Sequence, residues 1–120
     1  MSAGALPLLQ QQATAAYRAG RPRDALHACR QLLKLQPDRP DVLAFAGMIA
    51  LELGEAAEAA ELYRKAVQRR PDFGEAWYNL GNALMRLERV EDAAQAYRRA
   101  AELKPDLVPA RSEERRVGKE

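Results

Sequence analysis

Hydrophobic positions in this chain recur at helical spacing, in pairs of short stretches separated by a turn. In AWYNLGNALMRL, Trp77, Leu80, Leu84 and Leu87 fall three or four residues apart, on one face of a helix. In VEDAAQAYRRAAEL, Val90, Ala93, Tyr97, Ala100 and Leu103 do the same. A turn around Glu88 and Arg89 joins the two. Gly20 and Gly54 mark the corresponding turns upstream, where glycine leaves a helix with positive φ. Pro37, Pro71 and Pro105 end the second stretches, because proline has no amide hydrogen to extend a helix. The aspartates that follow them, Asp38, Asp72 and Asp106, are placed to cap the next helix.

The same spacing, 34 residues, links whole columns of the sequence. Ala25, Ala59 and Ala93 form one column. Leu9, Leu43 and Trp77 form another, as do Ala13, Gly47 and Gly81, and Cys29, Tyr63 and Tyr97. Self-similarity at such a period signals a stacked repeat architecture. The pattern divides the chain into an N-terminal tail (1–5), three repeats (6–39, 40–73 and 74–107) and the start of a truncated fourth helix (108–120). Gly47 and Gly81 lie inside first helices, each at a cost of about 1 kcal/mol against alanine. That predicts close approach of the second helix, with Ala25, Ala59 and Ala93 on the other side of the contact.

EAWYNLGNAL, followed by Ala93, Tyr97, Ala100 and Pro105, resembles a tetratricopeptide repeat close to its consensus. The second unit resembles it through Leu43, Gly47, Ala59, Tyr63, Ala66 and Pro71. The first is weaker: Leu9, Ala13, Ala25 and Pro37 match, but Gln12 and Cys29 replace larger apolar residues. The resemblance spans roughly residues 6–107. It implies an all-α fold, an α-solenoid of three antiparallel helix-turn-helix repeats, whose first helices line a concave groove.

Carried over by position, the groove residues are Gln10, Thr14, Tyr17 and Arg18 in the first unit. In the second they are Ala44, Phe45, Met48 and Leu51, and in the third Tyr78, Asn79, Asn82, Met85 and Arg86. Amides suit a peptide backbone, and Tyr, Phe and Met offer adaptable apolar contact. The competing reading is that Phe45, Met48, Leu51 and Met85 only pad the core. One subclass of the family grips a C-terminal carboxylate with lysines and asparagines. Here Gln10, Thr14 and Phe45 stand where that clamp needs them, so chaperone-tail binding is not expected. A second subclass carries an asparagine ladder, of which only Asn79 is present, with Gln11 and Phe45 in the other units.

Composition narrows the partners. Of 120 residues, 48% are hydrophobic and 30% charged, as in a globular domain. A net charge of +2 gives no electrostatic case for nucleic acid. No apolar run approaches the roughly 18 residues of a membrane span, and MSAGALPLLQQQ lacks the basic start of a signal peptide. A lone Cys29 excludes an internal disulfide and fits a reducing, cytoplasmic compartment. Abundant alanine and arginine with scarce lysine point to a GC-rich bacterial source.

Catalysis is not expected within these residues, and neither a metal nor a cofactor. His27 is the sole histidine, on an outward face, and no His/Cys cluster exists. Cys29 falls in a packing column and reads as a buried thiol. Glu52, Glu55, Glu58 and Glu61 surround one hairpin. Arg64 and Lys65 follow on the same helix, so ordinary surface pairing accounts for them. No Gly-rich phosphate loop or nucleophile–base set is present.

Three functions fit. The first is a protein-interaction scaffold that binds a partner segment in its groove. The second is the N-terminal part of a larger bacterial enzyme, because PDRPDVLAFAGMIALELGE resembles the leading repeats of sulfotransferase- or glycosyltransferase-bearing proteins. The third is a structural assembly repeat, as in secretion or pilus biogenesis factors.

The last ten residues, RSEERRVGKE, break the pattern. The place of Leu9, Leu43 and Trp77 falls on Arg111, and that of Gly47 and Gly81 on Arg115. The string resembles the in-frame translation of a common sequencing-library adapter, so 111–120 read as an artefact; the alternative is a natural charged capping helix. Without it the chain keeps 15 basic and 14 acidic residues, and a further repeat or domain is expected after Ala110. Tyr97, Ala101 and Leu103 would then lack a next neighbour, which predicts fraying or self-association at the uncapped C-terminal end.

Overall fold

The computed structural model describes residues 2–107, with side chains from Leu6 onward. Six helices follow in order: α1 (Ser2–Arg18), α2 (Pro22–Leu35), α3 (Pro40–Glu52), α4 (Ala56–Arg69), α5 (Gly74–Arg86) and α6 (Val90–Leu103). A single 3-10 turn, Pro105–Leu107, closes the series. No strand occurs among the described residues. Helices pair as α1–α2, α3–α4 and α5–α6, and α2 and α4 each pack on the hairpin that follows. The result is an all-α helical-repeat solenoid in which every hairpin touches only its neighbours.

The hairpin turns repeat one hydrogen-bonding scheme. The amides of Arg21, Glu55 and Arg89 donate to the carbonyls of Ala16, Ala50 and Leu84, each at 2.9 Å. This closure needs a left-handed residue just before the donor. Gly20 (φ 77°) and Gly54 (φ 82°) supply it, and Glu88 adopts φ 61° in the third hairpin without being glycine.

Helix entry is different from expectation. The residues before α3 and α5 are Arg39 and Phe73, and neither α3 nor α5 has a side-chain cap. Asp38 instead meets Arg69 at 2.9 Å and Asp72 meets Arg70 at 3.6 Å. Each aspartate lies too far ahead of the first helical amides, because one more residue stands between it and the helix. Pro40 at the first position of α3 needs no acceptor for its nitrogen, which lessens the demand for a cap. At the other end of the chain, α1 begins at Ser2 rather than near Leu6. Ala3, Ala5 and Leu6 favour helix, which offsets Pro7 inside it, a residue with no amide hydrogen for the carbonyl four residues back.

The core is built from small residues. Ala25, Ala59, Ala93, Ala46, Ala50, Ala66 and Ala100 have no solvent exposure, and no polar or charged residue is buried among the described residues. The partner of each interior glycine is not the alanine column but a tyrosine. A Cβ on Gly47 would stand 2.9 Å from the Tyr63 ring, and one on Gly81 2.7 Å from the Tyr97 ring. The first hairpin carries a different solution at the same two places, Ala13 with Cys29, both buried. A larger residue on one helix is matched by a smaller one on the other, as a close-packed interior requires.

Val90 departs from its expected place on the packed face and is exposed. Ala101 departs in the other direction. It is buried, because Leu107 of the terminal turn folds back over it together with Trp77, Tyr78 and Tyr97. Tyr97 is half-buried by the same contacts, and Leu103 is half-buried.

Candidate partner groove

The inner surface is formed by α1, α3 and α5, and it is tied together by its own polar groups. The Tyr17 hydroxyl donates to Glu52 Oε2 at 2.7 Å, and its ring meets Phe45 edge-on at 5.6 Å. These two contacts join α1 to α3. Arg86 joins α5 to α3 by donating to the Leu51 carbonyl at 2.9 Å. That carbonyl lies in the last turn of α3, where helix carbonyls lack intrahelical partners and a cation is favourable. The hydrogen bond to Glu52 raises the ionisation of the Tyr17 phenol above its usual range.

Gln10, Thr14, Tyr17, Arg18 and Phe45 come together around one hollow of about 380 Å³ between α1 and α3. Cys29, Leu32 and Val42 form its apolar floor, and Asp41 stands at its rim. Arg39 holds that rim. It grips Asp41 through two nitrogens, at 2.7 and 3.2 Å, and reaches Gln36 and Gln10 with the third. The bond from Arg39 draws the Asp41 carboxyl below the ordinary carboxylate range. Thr14 spends its hydroxyl hydrogen on the Gln10 carbonyl at 3.0 Å. Arg18 makes no ion pair among the described residues.

The α5 residues form a separate cluster. Asn82 accepts a hydrogen bond from the Tyr97 hydroxyl and donates to Asn79 Oδ1 at 3.2 Å, while Tyr78 leans on Tyr97 at 5.7 Å. Tyr78, Asn79 and Asn82 are half-exposed, and Asn82 already holds one partner at each end of its amide. Met48 and Ala44 are half-exposed on α3. Leu51 is buried, so its side chain belongs to the core. Met85 is exposed and Arg86 is held by α3.

Two residues of this surface escaped the sequence reading. Glu52 anchors Tyr17, and Arg39 fastens the rim of the hollow. The signal for Glu52 was the column Arg18, Glu52, Arg86, in which charge reverses once. Nothing local marked Arg39.

Elsewhere the chemistry is quiet. Cys29 is fully buried, and burial pushes its thiol up to about 11. His27 is exposed and bonded to Gln31 at 3.2 Å. Glu61 pairs with Arg64 as its helix spacing suggested, at 2.8 Å. Glu55 and Glu58 do not pair within their own helix. Both meet Arg30 of the preceding hairpin, and Glu55 also meets Arg23 at 3.3 Å. The exposed arginines of α2 supply these partners across the junction with the next hairpin. Among the described residues no group of His, Cys, Asp and Glu could hold a metal ion, and no helix is long and apolar enough to cross a membrane. Residues 108–120 lie outside the described region, and with them the fourth-helix and adapter readings.

Comparison with known proteins agrees with this architecture. The chain resembles the Arabidopsis OM64 TPR domain with a TM-score of 0.83 and 24% identity, over 97% of this chain and 96% of that one. It resembles the first TPR of Spaghetti (RPAP3), solved with the HSP90 peptide SRMEEVD, with a TM-score of 0.82 and 21% identity over 95% and 90%. A mutant O-GlcNAc transferase from Thermobaculum terrenum matches at 34% identity and a TM-score of 0.75, over 87% of this chain but only 20% of that chain. No curated protein sequence is recognisably similar. The family model for the tetratricopeptide repeat matches residues 11–72 and again 46–108. With six helices paired as three hairpins and the repeat model spanning nearly all of them, the chain belongs to the tetratricopeptide-repeat family.

Proposed function

We propose that the concave face binds a segment of a partner protein, seated first in the hollow between α1 and α3. The observation that carries this reading is the hollow itself. It has an apolar floor, an aromatic wall in Tyr17 and Phe45, and a rim bearing Gln10, Thr14 and Arg18. Such a mixture supports an apolar side chain below and a peptide backbone or acidic group above. The half-exposed Met48, Tyr78 and Asn79 extend the surface along α3 and α5, with Asn82, Met85 and Arg86 at its far end. The likeness to the peptide-bound Spaghetti domain supports the fold alone. The clamp positions Gln10, Thr14 and Phe45 carry no lysine, so a chaperone tail is not the proposed ligand.

Peptides selected by display against the full chain provide the test. Thr14→Arg, which fills the hollow, and Arg18→Glu should each weaken a selected peptide at least about tenfold, or about 1.4 kcal/mol. His27→Ala on the outer face should leave it unchanged. Binding unaffected by Thr14→Arg sinks the proposal.

A second reading, the scaffold part of a larger enzyme, is favoured by the match to the O-GlcNAc transferase, of which the chain spans one fifth. The catalytic residues would then lie outside this chain. The continuation of the reading frame in the source genome decides it.

A further inference from the structure

The two ends of the solenoid are complementary to each other. Within the chain, α2 packs on α3 and α4 packs on α5. Each junction joins the trailing face of one hairpin to the leading face of the next. On the trailing side, Leu51, Leu26 and Ala60 are buried by such a junction. Their counterparts in the last hairpin are uncovered: Met85 in the place of Leu51 is 45% exposed, and Ala94 in the place of Leu26 and Ala60 is exposed. Val90, 54% exposed, stands beside them. On the leading side, Val42 and Ile49 are buried. Their counterparts in the first hairpin, Leu8 at 54% exposure and Ala15, are open. A hollow of about 480 Å³ lies there, between α1 and α2.

Charge decides what fits. The first junction is bridged by Arg23 to Glu55 and by Arg30 to Glu58. Moved by two repeats on the trailing side, Arg23 becomes Glu91 and Arg30 becomes Arg98. Moved back by one repeat on the leading side, Glu55 becomes Arg21 and Glu58 becomes Asp24. A junction between the last hairpin of one copy and the first of another would therefore set Glu91 against Arg21 and Arg98 against Asp24. Both pairs are opposite in sign, although the first is reversed relative to its counterpart inside the chain and the Arg30–Glu55 contact at 3.6 Å becomes a like-charged Arg98–Arg21. Arg21 and Asp24 now meet only each other, at 3.5 Å and largely in solvent, and Glu91 and Arg98 have no ion pair among the described residues.

We propose that this chain assembles head to tail, with the trailing face around Met85, Ala94 and Arg98 docked on the leading face of a second copy around Leu8, Ala15 and Asp24. The contact is heterologous, so it extends rather than closes. It takes in Met85 at the far end of the proposed partner surface but none of the residues that line the hollow between α1 and α3. Exposed ion pairs add modestly and are screened by salt, so the apolar contact supplies most of the attraction and the charges set the register.

Sedimentation velocity on the full chain, from about 0.02 to 1 mM, tests it. The mean mass should climb through dimer without a plateau. Ala94→Arg and Ala15→Arg each block one face at an exposed position, so each variant alone should remain a helical monomer. Mixed in equal amounts they should form a dimer and nothing larger, because one intact face of each kind remains. Arg98→Glu should weaken assembly, and adding Asp24→Arg in the same chain should restore it. A wild-type chain that stays monomeric overturns the proposal and leaves both faces to further hairpins of a longer protein. A closed wild-type dimer, an Ala94→Arg variant that still assembles, or a mixture without dimer overturns it equally.

Discussion

Replacing Gly47 with alanine sets two physical effects against each other. Alanine is the better helix former by about 1 kcal/mol, so propensity alone predicts a more stable protein. The new methyl, however, would stand 2.9, 3.0 and 3.1 Å from three atoms of the Tyr63 ring. Those distances are well inside the roughly 3.5–4.0 Å of a favourable carbon contact. Tyr63 has 1% of its surface exposed, so the ring has nowhere to move without displacing α4. Overpacking of this kind costs about 1–3 kcal/mol. At the middle of that range the steric cost exceeds the propensity gain, and a net loss of about 1 kcal/mol is expected. Urea unfolding followed by helical circular dichroism measures it. The first hairpin indicates the rescue, since it holds Ala13 against Cys29 at the same positions. Tyr63→Cys alone should cost about 3 kcal/mol through the cavity it leaves. In the Gly47→Ala background it should cost at least about 1 kcal/mol less, because the methyl enters the vacated space. A Gly47→Ala protein as stable as the parent, or a strictly additive double variant, would refute the close-packing account.

The turn scheme and the buried thiol supply two further predictions. Glu88 holds φ 61° where the first two hairpins use glycine, so Glu88→Gly should stabilise the third hairpin by about 0.5–1 kcal/mol in the same urea assay. Gly54→Ala should lose about 1 kcal/mol from backbone strain alone, because nothing lies within 4 Å of its Cβ position. Cys29 ionises near 11 in the fold and near 8.5 in the unfolded chain, so its contribution to stability is complete below about pH 8.5. It is lost as pH rises from there through the folded value, since unfolding then releases a proton. Urea midpoints should therefore fall between pH 7 and about pH 9.5, and Cys29→Ala should flatten that decline. A thiol reagent that labels Cys29 as fast in the folded as in the unfolded protein would contradict its burial.

Much of this protein is legible without coordinates. A 34-residue period in Ala25, Ala59 and Ala93 and in the three prolines specifies paired helices, because a repeat buries its apolar face only against another of its kind. The positive-φ turns at Gly20 and Gly54 and the buried Cys29 follow from residue type and column. The groove residues could be placed on the inner helices but not weighed. Spacing along a helix says which face a side chain takes, not what already occupies its polar atoms. Asn82 is engaged by Tyr97 from the neighbouring helix and Arg86 by the end of α3, and neither bond leaves a mark in local sequence.

The sequence by itself determined the hairpins, their order and their axis of stacking, because these depend on periodicity and on backbone chemistry at glycine and proline. Tertiary structure alone decided the partners across the gaps. It put Tyr63 and Tyr97 over the glycines, sent Asp38 to Arg69 instead of a helix cap, and joined Glu58 to Arg30 in the preceding hairpin. The physical reason is range. Helix and turn formation are settled within a few residues of chain, whereas these contacts link positions 16 to 31 residues apart and exist only once the helices have packed.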